Sequence, residues 1–190
     1  MNKKLAFAVI SVASLFLIAG ASTLLAQTAN DAGKIGLTCT PDGLKNAAVG
    51  LEKSNLKTFD ALDFDVFSNQ KWERLKESHS KDVIVHWPDG HITTGIERHI
   101  KDLAALFVYA PDTRIKEHPV RIGCGDLTAV TGVFEGTFTK PLPLPDGKFI
   151  QPTGKGFKLP MATIGRWKDG VMVEEYLFWD NQTYAKQIGL

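Results

Sequence analysis

The 190-residue sequence predicts an α+β domain, with helices packed on one face of an antiparallel sheet. Three observations predict it. Helix-period patterns come first in the chain, strand-period patterns fill the second half, and between them lies a helix whose apolar stripe needs a broad partner. With 44% apolar residues, four Trp and eleven Phe, one such domain can bury a real core. There is no internal repeat or linker over 44–190 to separate a second domain.

The N-terminus stands apart from this domain. Lys3 and Lys4 precede the apolar run Leu5 to Ile18, the pattern of a secretory signal over residues 1–26. Cleavage sites are offered after Ala21 and after Ala26, and the alternative is an uncleaved anchor. Residues 27–54 read as an N-terminal extension and 55–190 as the domain, which export would place in the periplasm or outside the cell. Removal of the signal takes Lys3 and Lys4 with it, so 22 basic residues become 20 against 21 acidic. That balance gives no basic field for nucleic acid and no polybasic helix for a lipid surface. Cys39 and Cys124, an even pair in an exported chain, read as one disulfide worth roughly 4–5 kcal/mol by loop entropy. Two buried free thiols are the other reading.

Along the domain, Leu56, Phe59, Leu62 and Val66 share a helical face over Asn55 to Phe67, and Trp72 and Leu75 continue a short helix. Asp82 to Trp87 is a β-branched strand stopped by Pro88-Asp89-Gly90. Thr94 and Glu97 form a capping box for the helix carrying Ile96, Ile100, Leu103 and Phe107, which Pro111 ends. Thr113–Ile122, Leu127–Lys140, Phe157–Trp167 and Val171–Trp179 read as strands, with Lys168-Asp169-Gly170 turning between the last two. Pro119 marks an edge or a bulge in the first of them. Pro141 to Gly156 reads as a long connection and Gln182–Leu190 as a short tail. If the sheet curves strongly around the central helix, a pocket remains at its wide end.

The order of elements resembles the nuclear transport factor 2 superfamily, a cone-shaped α+β roll. The C-terminal stretch RWKDGVMVEEYLFWDNQTYAKQIGL (Arg166–Leu190) is similar to the signature of SnoaL-like polyketide cyclases. His86-Trp87-Pro88 followed by Gly95 and a helix also fits that family, and the resemblance runs over roughly residues 55–190. It implies a homodimer of curved sheets, each with a mostly apolar pocket for a small apolar molecule. It also implies acid–base chemistry without a metal or organic cofactor. The family's catalytic Asp, seven residues after the turn Gly, falls on Leu177 here, and its His on about Thr163. Neither side chain can do that work, which rules against simple transfer of the cyclase mechanism.

Period two puts Val173, Glu175, Leu177 and Trp179 on one face of the last strand, the pocket face by the resemblance. Met161 and Thr163 join them from the neighbouring strand. Glu175 is the first catalytic candidate, because a carboxylate in an apolar cavity has a raised pKa and can serve as a general acid or base near neutral pH; a structural ion pair is its bland reading. His86 is the second, as a proton shuttle at the pocket mouth, against a packing role beside Trp87. Tyr176, Trp87 and Trp179 could contact a ligand, while Asp180 is placed to cap the turn that follows. His86, Asp89 and His91 lie across one turn and lack a second ligand pair, so no metal is assigned to them. Thr153-Gly154-Lys155-Gly156 lacks the first Gly and the Ser/Thr of a phosphate loop. Asn181-Gln182-Thr183 is a glycosylation sequon only in a host that uses it. Three functions stay open on this reading: an acid–base enzyme, a carrier or sensor of a hydrophobic metabolite, and a dimeric structural protein.

Overall fold

The computed structural model describes residues 48–190. The signal segment, most of the N-terminal extension and Cys39, with its expected link to Cys124, lie outside the described residues. The first helix, α1 (Ala48–Ala61), begins seven residues before the boundary expected at 55. In its first described turns Glu52 is buried against the sheet, where its carboxylate accepts the Gly125 N–H.

After α1 the chain widens into a π-helical turn, Leu62–Phe67. The extra residue per turn lets Leu62, Asp63, Val66 and Phe67 all face inward. A 3₁₀ helix, Trp72–Glu77, then leads into β1 (His79–His86) and β2 (Ile92–Thr94). The capping box is not formed. Thr94 is held in the ladder opposite Ile84, and Gly95, at a positive φ of 94° that favours glycine, caps α2 (Ile96–Tyr109) instead.

Five further strands and a small hairpin follow. The expected strand Thr113–Ile122 is split by the bend at Pro119 into β3 (Arg114–Ile115) and β4 (Arg121–Cys124). Next come β5 (Leu127–Thr137), the hairpin β6 (Leu142–Pro143) and β7 (Phe149–Ile150) inside the Pro/Gly-rich connection, β8 (Gly156–Lys168) and β9 (Val171–Trp179). The presumed tail is a helix, α3 (Asn181–Ile188), because the Asp180 side chain caps it by accepting the N–H groups of Gln182 and Thr183.

The curved main sheet runs β2-β1-β9-β8-β5-β3, with β4 also paired to β5. All pairs are antiparallel except β1 with β9. Asp169-Gly170, both at positive φ, join β8 to β9 in the tight turn the sequence announced. Along β8 every second side chain from Phe157 to Trp167, leaving aside Gly165, is buried, and these pack with Phe59, Phe67, Phe107 and Phe134 into one core between sheet and helices.

Candidate functional site

A small cavity of about 50 Å³ lies between the inner face of the sheet, α2 and the π turn. Its wall is apolar where Leu62, Phe67, Leu103, Phe134, Met161, Leu177 and Trp179 contribute. Its polar part comes from five side chains: Asp63, His79, His99, Thr163 and Glu175. All five are buried.

Glu175 reaches the cavity from β9, where Gly165 and Val85 are its strand neighbours. Its Oε2 stands 3.3 Å from His99 Nε2 and 3.6 Å from His79 Nε2. Against the raised pKa expected from the sequence, burial pushes the carboxyl up but the two imidazoles outweigh it and hold the group well below the usual carboxylate range. His79 opens β1, and His99 sits in the first turn of α2, where its N–H bonds back to the Gly95 carbonyl. Four of the buried polar atoms here have no hydrogen-bond partner within the protein: His79 Nε2, His99 Nδ1, Thr163 Oγ1 and Glu175 Oε2. Each costs free energy unless a ligand, an ion or water meets it.

On the opposite wall, Asp63 belongs to a second polar chain. His118 gives one ring nitrogen to Asp63 (2.8 Å) and the other to Asp60 (2.9 Å), and Asp60 pairs with Arg121 at 2.7 Å. Burial raises the Asp63 pKa more than His118 lowers it. Burial works against a charged His118, yet the bonds to Asp63 and Asp60 prevail and raise its pKa above 6.5. Both shifts mean that the folded state holds protons more tightly than the unfolded chain. Their contribution to stability is therefore complete at low pH and is lost as the pH rises through the raised values. Denaturant midpoints are expected to fall as the pH rises above 6.5, and His118→Gln is expected to flatten that slope. An unchanged slope in the variant would remove His118 from the account.

The other residues singled out in the sequence divide cleanly. Met161, Thr163, Leu177 and Trp179 line the cavity with Glu175, and Thr163 lies directly opposite Leu177. The two positions onto which the resemblance carries the family's catalytic pair are thus neighbours inside this pocket. Val173 does not join them. The strand pairing shifts between Arg166 and Trp167, so that Met172, not Val173, turns inward, and strict alternation fails at that point. His86 and Tyr176 lie on the outer face of the sheet, because Val85 and Leu177 occupy the inner one. There the His86 and Tyr176 rings stack at 4.1 Å, and both bond to Glu174. Trp87 stands behind His99, with ring centres 5.8 Å apart, and donates its N–H to Thr93. Asp180 is committed to the cap of α3. The His91 ring bonds to Asp89 alone, away from His86.

Asp63, His79, His99 and His118 were not singled out in the sequence. For His99 a signal exists: it is a polar residue three positions after Ile96 and four before Leu103, inside an apolar stripe. His79 is hidden because the exposed pair Lys81-Asp82 breaks the alternation before Val83.

The sequence matches the SnoaL-like polyketide cyclase family over residues 60–188. The chain belongs to that family. Curated proteins show no significant match to it. Among solved structures it is similar to IdmH, a candidate polyketide cyclase from Streptomyces antibioticus, at 24% identity and a TM-score of 0.61, covering 72% of this chain and 99% of that one. A SnoaL-like protein from Jannaschia sp. CCS1 is similar at 21% identity and a TM-score of 0.63, over 73% and 93% of the two chains. A third, from Xanthomonas campestris pv. campestris, is 17% identical with a TM-score of 0.62, over 73% and 99%. These likenesses show the SnoaL-like, nuclear transport factor 2-like fold.

Proposed function

We propose that this SnoaL-like chain is exported and that its cavity receives a small, largely apolar molecule, on which it acts by proton transfer in a cyclisation, isomerisation or hydrolysis. The observation that carries the reading is the set of unpartnered polar atoms on Glu175, His79, His99 and Thr163 at one end of an apolar cavity. Apolar walls exclude water and strengthen charge–dipole contacts, and the polar end fixes a reacting heteroatom. The cavity is small at about 50 Å³, so anything larger than a few waters must displace side chains such as Met161 and Leu103.

A non-catalytic carrier is the second reading, favoured by Leu177 and Thr163 at the family's catalytic positions. A homodimer belongs to the same proposal: exposed Ile84 and Phe178 flank the His86–Glu174–Tyr176 cluster on the outer sheet face, a surface suited to self-association. No helix among the described residues is long and apolar enough to cross a membrane.

Native mass spectrometry of the protein purified from its own source tests these readings together. A small molecule released on denaturation, and converted when added back, supports the enzyme. Release of a molecule that is never converted supports the carrier. A protein that carries nothing and binds no small apolar probe would overturn the pocket reading.

A further inference from the structure

His79, His99 and Glu175 each offer one ligand-type atom, and these three atoms lie within 4.8 Å of one another. The Ser78 hydroxyl engages His79 Nδ1 at 2.9 Å, which leaves Nε2 as the ring nitrogen turned to Glu175 Oε2, 3.6 Å away. Both Nε2 and Oε2 are buried without a hydrogen-bond partner in the protein, and a cation between them would satisfy both.

A proton on Nε2 would draw the pair to about 2.7–2.9 Å, the length of a charge-assisted hydrogen bond. The observed separations from Glu175 Oε2 are 3.6 Å to His79 and 3.3 Å to His99. Ligand atoms held about 2.1 Å from one ion stand roughly 3.0–3.4 Å apart in octahedral or tetrahedral geometry. The His99 separation falls within that range and the His79 separation slightly beyond it, and both exceed the length of a charge-assisted hydrogen bond. Two imidazoles and one carboxylate on three different elements are the donor set of catalytic zinc sites and of mononuclear iron sites, both of which keep open positions. Here the open side faces the cavity, with Thr163 and the apolar wall of Leu177 and Met161. The Ser78 hydroxyl supplies the outer hydrogen bond that fixes a ligating histidine's orientation.

We propose that His79 Nε2, His99 Nε2 and Glu175 Oε2 bind one divalent first-row transition ion whose open positions face the cavity. The ion would polarise a carbonyl or hydroxyl oxygen of the molecule bound there, or a water. The inference rests on the proposed function only for what occupies those open positions; ion binding itself is independent of turnover.

The test is titration of Zn²⁺ into the full chain after chelation and dialysis, followed by calorimetry and elemental analysis. One Zn²⁺ per chain with submicromolar affinity is expected. His99→Gln and Glu175→Gln are each expected to weaken binding at least 100-fold, and His91→Gln, outside the cluster, not at all. X-ray absorption of the Zn²⁺-loaded wild type is expected to show two imidazoles around the metal, which keeps the test decisive if a variant misfolds. Lack of tight binding in the wild type, binding untouched in both cluster variants, or a shell without imidazole would overturn the ion site. If the metal fails while a small molecule is still released on denaturation, the ion site falls and the pocket reading stands. If the metal binds and no small molecule does, the ion site stands and the pocket reading falls.

Discussion

Phe134→Ala is expected to destabilise the domain by about 3–5 kcal/mol, the cost of deleting a buried aromatic ring whose space cannot close. Phe134 comes from the centre of β5 and is buried at the point where sheet, α3 and the π turn meet. Its ring lies 5.1 Å from Phe157, 6.0 Å from Trp179 and 6.2 Å from both Phe67 and Tyr184, centre to centre. Four rings on four different elements cannot all follow one truncation. With a urea slope of about 2 kcal/mol per molar, the midpoint should fall by roughly 2 M. A shift equivalent to less than about 1 kcal/mol would mean that this wall is loosely packed. Because Phe134 also lines the cavity, the same variant should admit a larger apolar probe than the wild type does.

The core was legible in the sequence because it follows simple periods. Phe157, Leu159 and Met161 obey the period of a strand, Leu103 and Phe107 that of a helix, and the Asp169-Gly170 turn fixes how β8 meets β9. Glu175 was legible for the same reason, counting back by two from Leu177. What escaped were departures from period. The shifted pairing opposite Arg166 and Trp167 moved Val173 off the inner face, the π turn rotated Asp63 onto it, and the irregular pairing in β1 concealed His79. Each departure depends on how a neighbouring element packs, which one strand's own residues do not specify. The site is concentrated at these irregularities. His79, Asp63 and Glu175 each lie at or beside one, whereas the regular stretches of β8 and α2 mainly build wall. His86 was misplaced by the opposite error, since a histidine at a strand end beside a pocket motif was read inward when its parity with Val85 points it outward.

Glu175→Gln is expected to lower turnover of the bound molecule by about 10²–10⁴-fold while leaving the fold intact, the range seen when a positioned proton-transfer group is lost. Gln matches Glu in volume, so the packing of Val85, Leu177 and Thr163 around it is kept, and what is removed is the negative charge. That charge is what both histidines face at this end of the cavity. The expectation holds whether the carboxylate takes the proton itself or holds an ion that polarises the substrate, because an amide does both poorly. Glu175→Asp separates geometry from charge. It keeps the carboxylate but draws it back by one methylene from His79 and His99, so an intermediate loss is expected, with partial recovery only if charge at that point is what matters. Thr163→Val supplies the contrast: it removes one unpartnered hydroxyl from the same cavity and should change substrate affinity more than the rate. Circular dichroism and the denaturant midpoint identify any variant whose loss is a loss of fold. If folded Glu175→Gln turns the molecule over within a few-fold of wild type, the reacting group is not on β9. Asp63, facing it across the cavity from the π turn, is then the next carboxyl to replace.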